Sequence, residues 1–421
     1  MAKRIVLADP RGFCAGVDRA ILTVQTILKA ASARVDGLPP VYVRRQIVHN
    51  RHVVEDLAAQ GAVFVQELAE IPDEAAAAGI PIVFSAHGVS PQVKAEAARR
   101  GMHVVDATCP LVSKVHREVL RFVREGYEII YIGHRGHDEA VGVVGEDPVH
   151  VHLIEHEADV DSLDFRPEQK LVLLTQTTLS IDETAGTIAA LKCRFPWMKE
   201  PPSSDICYAT SNRQAAVKLV AEQSDSVVIV GSANSSNSVR LMEVAQGALG
   251  ERGRAHRVDD ANELDPSWFD GVEAVGISSG ASVPDELVAG VIEALRAQGF
   301  TDVSTVETIK ENMHFVLPAE LRRKPSQARE CASSPHRPWR DEAYSKPYVR
   351  VFNANDGAAT VPGIAAGECS TLAVDGKVTL TGGSTVNVGA DGYAAAGLSA
   401  TGAPVGAVAL ADRSRVLAAT P

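Results

Sequence analysis

The sequence predicts an α/β protein built of three similar parts, each a largely parallel sheet covered by helices. Two observations carry this. Short apolar runs of strand length alternate with stretches of helical period up to about residue 318. Three cysteines at positions 14, 109 and 207, hence 95 and 98 residues apart, each sit just ahead of such a helical stretch. A near-constant interval between similar units marks an internal repeat, with each third presenting one thiol to a shared centre.

In chain order, the first third opens with the strand Ile5–Ala8. After PRGFCAG comes a helix from about Gly16 to Ala31, with Val17, Ile21, Val24 and Ile27 on one face. The spacing then predicts a strand at Val41–Arg44, the turn Ile47–Asn50, a helix near Val53–Gln60 and strands at Val63–Val65 and Ile82–Phe84. Ser90 and Pro91 supply a cap and a first-turn proline for the next helix. The second third has strands at Ile129–Ile132 and Leu171–Leu174, with Ser180 or Asp182 capping the helix that follows. The last third has Ser226–Val230, the turn Gly231–Ser238, a helix through Val239, Leu241, Met242 and Val244, the strand Ala274–Ile277 and a helix starting at Pro284. The expected boundaries are 1–108, with an N-terminal strand free to pack with the third domain, then 109–206 and 207–318. Residues 319–345, rich in Arg, Pro and Ser, read as a linker. Residues 346–421 read as an Ala-, Gly- and Thr-biased extension of small hairpins or disordered chain.

The chain has 421 residues and a formal net charge of −12, which argues against a nucleic-acid partner. MAKRIVLADP lacks an apolar segment of signal-peptide length, and no run of eighteen apolar residues occurs, so a cytoplasmic protein without membrane insertion is expected. Six cysteines at irregular spacing do not make a disulfide framework, and a reducing compartment keeps them available for metal.

Cys14, Cys109 and Cys207 at helix N-termini suit an iron–sulfur cluster, because unpaired backbone N–H groups favour its thiolates. Three cysteines on a four-iron cluster leave one iron open to a substrate oxygen. For each cysteine taken singly the alternative is a buried thiol packing as a small hydrophobe, which is the reading for Cys193, Cys331 and Cys369. His49 in VHN, His87 in AHG and His137 in GHDE stand at strand ends beside small residues, where imidazole donors suit an anionic diphosphate; singly, each also reads as a structural or solvated histidine. Ser235, Ser236 and Asn237 in GSANSSNS, and Ser282 in SSGAS, add hydroxyls and an amide at helix starts, with plain N-capping as the alternative. Glu139 can deliver a proton to a leaving hydroxyl, with an N-cap contact or a surface charge as the alternative, and Thr177 or Thr178 in TQTTLS can orient an alcohol, threonine being also common at strand ends.

The motifs PRGFCAGVDRAI, VHN, SAHGVS, VDATCPLVSKVH, GHRGHDE, TQTTLS, DICYATSNRQ, GSANSSNS and SSGAS, in this order over roughly residues 3–318, resemble the 4-hydroxy-3-methylbut-2-enyl diphosphate reductase (LytB/IspH) family. The resemblance implies three pseudo-threefold-related α/β domains in a clover around a [4Fe–4S] cluster held by Cys14, Cys109 and Cys207. It implies diphosphate contacts from His49, His87, His137, Ser235, Ser236, Asn237 and Ser282, proton delivery from Glu139 and substrate contact by Thr177. The implied reaction is a two-electron reductive dehydration to isopentenyl and dimethylallyl diphosphates, the last step of the methylerythritol phosphate route. Electrons would come from a ferredoxin- or flavodoxin-like donor with its NADPH-dependent reductase. Two positions depart from the family pattern: Asp138 stands where Pro is usual, and Ser211 where Gln is common. A redox-neutral hydro-lyase and an iron–sulfur sensor are the competing expectations.

Overall fold

The computed structural model describes residues 3–30, 38–201 and 203–322, and five short strands between 348 and 400. β1 (Lys3–Asp9) leads to α1 (Ala15–Ala30), followed by β2 (Val41–Arg44), α2 (Arg51–Ala59), β3 (Ala62–Val65), α3 (Asp73–Ala77), β4 (Pro81–Phe84), α4 (Pro91–Arg99) and β5 (His103–Asp106). Strands β3-β2-β4-β5 form one parallel sheet. The Val17, Ile21, Val24 and Ile27 face of α1 packs on Val41, Val43, Val83 and Val105, which is the helical spacing meeting one face of a sheet. α2 starts where the Asn50 side chain accepts a hydrogen bond from Val53 N at 3.1 Å.

The second unit contains α5 (Pro110–Arg124), β6 (Tyr127–Ile132), α6 (Asp138–Val144), β7 (Val151–Ile154), β8 (Lys170–Thr175) and α7 (Ile181–Arg194). Its parallel sheet has the order β7-β6-β8. α5 and α6 cover one face through Val115, Val119, Phe122 and Val143, and α7 covers the other through Leu191. Of the two expected caps for α7, Ser180 accepts from Glu183 N.

The third unit contains α8 (Tyr208–Glu222), β9 (Ser226–Val230), α9 (Ser236–Leu249), β10 (Arg254–Val258), β11 (Ala274–Ser279), α10 (Asp285–Ala297) and β12 (Phe300–Glu307). Its sheet runs β10-β9-β11-β1-β12, so the first strand of the chain is an inner strand of the last sheet, with Leu7 opposite Ile277 and Thr305. All these pairings are parallel, and the loops carrying the polar motifs lie beyond strand carboxyl ends, where open α/β sheets bind ligands.

The cysteine spacing predicts one strand–Cys–helix unit inside each third. Instead, each cysteine lies at a crossing between units. Cys14 follows β1 of the third sheet and opens α1 of the first unit. Cys109 follows β5 of the first sheet and caps α5 of the second; Cys207 follows the second unit and caps α8 of the third. No strand directly precedes Cys207. The reason is pairing: β1 and β5 hydrogen-bond to the sheet the chain is leaving, while the next helix buries its apolar face in the new unit.

The expected linker begins later than residue 319, because Ala319–Arg322 forms a short helix, α11, and Leu321 packs against the first unit's core. The rest of the 319–345 stretch, which includes Cys331, lies outside the described residues, as does Cys369 in the extension. In the extension, Tyr348–Val351 pairs antiparallel with Ser370–Ala373 and Val386–Asn387, and Val378–Leu380 pairs parallel with Leu398–Ala400.

Candidate active site

Each cysteine is fixed by the unit that precedes it. The backbone N–H of Cys14 donates to Ala281 O at 3.1 Å, that of Cys109 to Ala86 O at 2.9 Å, and that of Cys207 to Thr177 O at 3.0 Å. The three side chains are free thiols lining one cavity. Burial pushes the Cys109 thiol up to about 12 and the Cys207 thiol up to about 11, and for both the next cause is the charge of Cys14. Thiols that feel one another in this way share a centre, and only a cation there would make three thiolates compatible. Thr210 gives Cys207 Sγ its N–H at 3.4 Å.

Gly16 completes the thiol pocket. A Cβ on it would lie 2.7 Å from Cys109 Sγ and 3.8 Å from Cys14 Sγ. The absent side chain leaves room against two thiols, and with three converging sulfur donors the site fits an iron–sulfur group.

Opposite the thiols, Glu139 is fully buried on the first turn of α6. Its carboxylate accepts the Thr177 backbone N–H at 2.7 Å and the Thr177 hydroxyl at 2.9 Å. Burial pushes Glu139 up to about 7 against these two hydrogen bonds, with Asp205 adding to the rise. The pair therefore sits between the proton-holding and proton-free states near neutral pH. Thr177 also carries the carbonyl that fixes Cys207, so proton carrier and thiol share one support.

The three histidines gather into one cluster. His49 and His87 stack at 3.9 Å, and His137 stands edge-on to them at 5.1 and 5.7 Å. His137 caps α6, its Nδ1 accepting from Glu139 N at 3.2 Å, which assigns the proton to Nε2. Burial, then the neighbouring His49, hold His137 down at about 3, so it acts as a neutral donor. Asp138 lies 3.5 Å from His49 Nε2 and accepts from Arg45. Although burial opposes it, contacts with His49, His87 and Arg45 keep its carboxyl below the usual range.

The third unit supplies hydroxyls and an amide. Ser235 caps α9, accepting from Ser238 N at 3.3 Å; Ser236 Oγ accepts from Thr178 at 3.1 Å. Asn237 accepts from Ala281 N at 2.9 Å, and Ser282 donates to His49 O at 3.0 Å. All twelve candidate residues, from Cys14 to Ser282, line the same cavity, whose roughly 100 Å³ exceeds several-fold the space one water needs.

Three contributors escape sequence reasoning. Arg45 holds Asp138 from a backbone at φ 56°, in the left-handed region. Arg213, 1% exposed, donates to Gly12 O at 2.8 Å and Phe13 O at 3.3 Å, and pairs with Glu311 at 3.1 Å, bracing the loop before Cys14. Gly16 is the third, and the small CAG triplet is the signal that could have found it. Ser211, the other departure from the family pattern, donates to Cys207 O at 3.3 Å.

The family model described as "LytB protein" matches residues 5–296. The chain belongs to the LytB family. Within that family, it is 84% identical over 329 residues to the 4-hydroxy-3-methylbut-2-enyl diphosphate reductase of Bifidobacterium longum (strain NCC 2705), covering 77% of this chain and 94% of that protein. It is 55% identical over 320 residues to the reductase of the same name from Mycolicibacterium paratuberculosis (strain ATCC BAA-968 / K-10), covering 76% of this chain and 92% of that protein. The solved structure of the E-1-hydroxy-2-methyl-but-2-enyl-4-diphosphate reductase from Plasmodium falciparum superposes with a TM-score of 0.72 at 36% identity, over 79% of this chain and 100% of that chain. The LytB-family fold of this chain is the three-unit α/β clover described above, and the family implies an iron–sulfur cluster.

Proposed function

We propose that the protein catalyses the reductive dehydration of (E)-4-hydroxy-3-methylbut-2-enyl diphosphate to isopentenyl and dimethylallyl diphosphates. One observation carries the reading: three thiols, a buried carboxyl poised near neutral pH and a wall of polar donors face one cavity. Cys14, Cys109 and Cys207 hold a [4Fe–4S] cluster, with 1–108, 109–206 and 207–318 as the three units and β1 lent to the third. When bound, such a cluster supplies single electrons and one iron position that no cysteine fills.

The protein's own residues do the rest. His49, His87, His137, Ser235, Ser236, Asn237 and Ser282 bind the diphosphate with hydroxyl, amide and ring N–H donors, which anchors the five-carbon chain toward the thiols. Glu139 holds the proton that the departing hydroxyl needs, and Thr177 Oγ1, 2.9 Å away, orients that hydroxyl and passes the proton on. Electrons come from a ferredoxin- or flavodoxin-like donor with its NADPH-dependent reductase. Four free thiols among the described residues, and no described helix long and apolar enough to cross a membrane, support a reducing, cytoplasmic setting.

The test is anaerobic turnover of this substrate by cluster-loaded protein, with dithionite and a viologen mediator. Reductant-dependent appearance of both five-carbon diphosphates is expected, and Cys109→Ala should abolish cluster absorbance and product together. Turnover that needs no reductant would favour a hydro-lyase, and an intact cluster without turnover a sensor; either result refutes the reductase reading.

A further inference from the structure

Asp138 stands where the family usually has proline, and it adds a carboxylate beside the histidines that bind diphosphate in the reading above. Its Oδ2 lies 3.5 Å from His49 Nε2, and Arg45 donates to its Oδ1. Arg45 in turn faces Glu67 at 3.3 Å, and Glu67 faces Arg44 at 2.7 Å. Charges alternate along this row, which aims an ionised Asp138 at one ring. We propose that Asp138 obliges His49 to take up a proton when the diphosphate binds, so that substrate binding and protonation of this ring are one event.

A neutral imidazole has one N–H, and an imidazolium has two. An ionised carboxylate at Nε2 is compatible only with a proton on that nitrogen. Asp138 is not among the residues lining the cavity, so with Nε2 turned to it, Nδ1 is the nitrogen left for a ligand there. In the neutral ring, Nδ1 would meet a phosphate oxygen lone pair to lone pair. A second proton, taken from solvent onto Nδ1, makes it a donor, and the cation so formed lies between two anions. The ring is held for this contact: Ser282 donates to His49 O at 3.0 Å, and His87 stacks on the ring at 3.9 Å and 22°.

The charged and titratable groups facing His49 are Arg45 from the preceding turn, His87 from the turn after β4, and His137 and Asp138 at the start of α6. The third unit offers it the uncharged Ser282, while Arg51 and His52 on α2 turn to Asp260. Burial, then His49, hold His87 and His137 below the ordinary histidine range, so neither takes the proton in its place. Glu139 engages Thr177 instead. The inference rests on the diphosphate reading, because without an anion at Nδ1 nothing calls for the second proton.

Substrate binding to the oxidised, cluster-loaded protein, without reductant, is measured by titration calorimetry in buffers of different ionisation enthalpy, which counts protons taken up. The pH is about 8, where an ordinary free imidazole is neutral. The wild type should take up about one proton more per substrate than Asp138→Asn, whose amide accepts from Arg45 and donates to Nε2, leaving a neutral ring with its proton on Nδ1. Between about pH 8 and about pH 9, the wild-type Kd should accordingly weaken about tenfold more than that of the variant. Ionisation of the substrate, of Glu139 and at the cluster is common to both proteins and cancels. Asp138→Pro, at a first helix position that suits proline, should match Asp138→Asn and serves if that variant does not fold; cluster absorbance and melting temperature establish folding. A carboxylate that merely favours the helix N-terminus would move the melting temperature and leave the proton count alone. Equal counts in the wild type and the folded variants overturn the proposal. His49→Gln should bind more weakly and show the lower count. Wild-type affinity in His49→Gln overturns the diphosphate role of His49 itself, whereas weaker binding there, with equal counts in the wild type and Asp138→Asn, overturns the role of Asp138 alone.

Discussion

Gly16→Ala separates the stability of the fold from the capacity of the thiol pocket. Gly16 is the second residue of α1, and alanine in a helix is favoured over glycine by up to about 1 kcal/mol. The helix alone should therefore melt no earlier in the variant. The added Cβ, however, would lie 2.7 Å from Cys109 Sγ, about 0.7 Å short of the 3.4 Å at which ordinary contact begins. Cys109 stands at the N-cap position of α5 and its backbone N–H donates to Ala86 O, so the backbone that carries the sulfur is fixed. Metal–ligand distances tolerate about 0.2 Å, so the clash exceeds the tolerance several-fold. The expected result is a cluster-free form that melts at or slightly above the wild-type temperature, and iron and sulfide contents after anaerobic reconstitution that fall clearly below those of the wild type. Full iron content with unchanged absorbance would refute the assignment of Cys14 and Cys109 to a shared centre.

Four further outcomes follow from contacts described above. Glu139→Gln should keep the cluster but lose about 10²–10⁴-fold in turnover, measured with excess reductant. The same variant should change the pH dependence of stability. Glu139 titrates at about 7 in the folded protein against an ordinary 4.5, so the unfolded chain releases its proton first and native stability falls as pH rises between those values. At about 1.4 kcal/mol per pH unit, this removes up to about 3 kcal/mol by pH 7, and urea unfolding curves of the variant should lack that slope; parallel curves would refute the shift. Arg213→Met should cost about 3–5 kcal/mol by denaturation, because Glu311 and the Gly12 and Phe13 carbonyls lose their partner in a buried site. Truncation after Arg322 should preserve melting temperature and cluster loading, whereas truncation after Pro318 should cost about 1 kcal/mol through the Leu321 contact with the first unit's core.

The inner strands were legible because sheets covered on both faces demand continuous apolar runs, as in Ser226–Val230 and Ile129–Ile132. The strands not anticipated, Val151–Ile154, Arg254–Val258 and Phe300–Glu307, are all sheet edges. There solvent on one side permits Arg254, His256, Asp302 and Glu307, and the apolar signal is broken. Site residues at strand ends could be found because small, polar and imidazole side chains interrupt an apolar pattern locally. Arg45 and Arg213 could not, since their partners lie far along the chain, at Asp138 and at Gly12 and Glu311. An arginine in a loop looks the same whether it faces water or a buried carboxylate.

That the first strand completes the last sheet sets a timetable for making this protein. β1 pairs with β11 and β12, so Leu7 leaves the ribosome about 270 residues before Ile277 exists to receive it. At a synthesis rate of about 5–20 residues per second, that is a wait of roughly 15–50 s. During that time the nascent chain can close its first and second units, but Cys14, anchored through Ala281, has no fixed address. Assembly of a site that needs all three cysteines therefore belongs to the nearly finished chain. Ribosome-bound chains stopped before β11 should expose Cys14 to thiol-labelling reagents, and released chains should protect it.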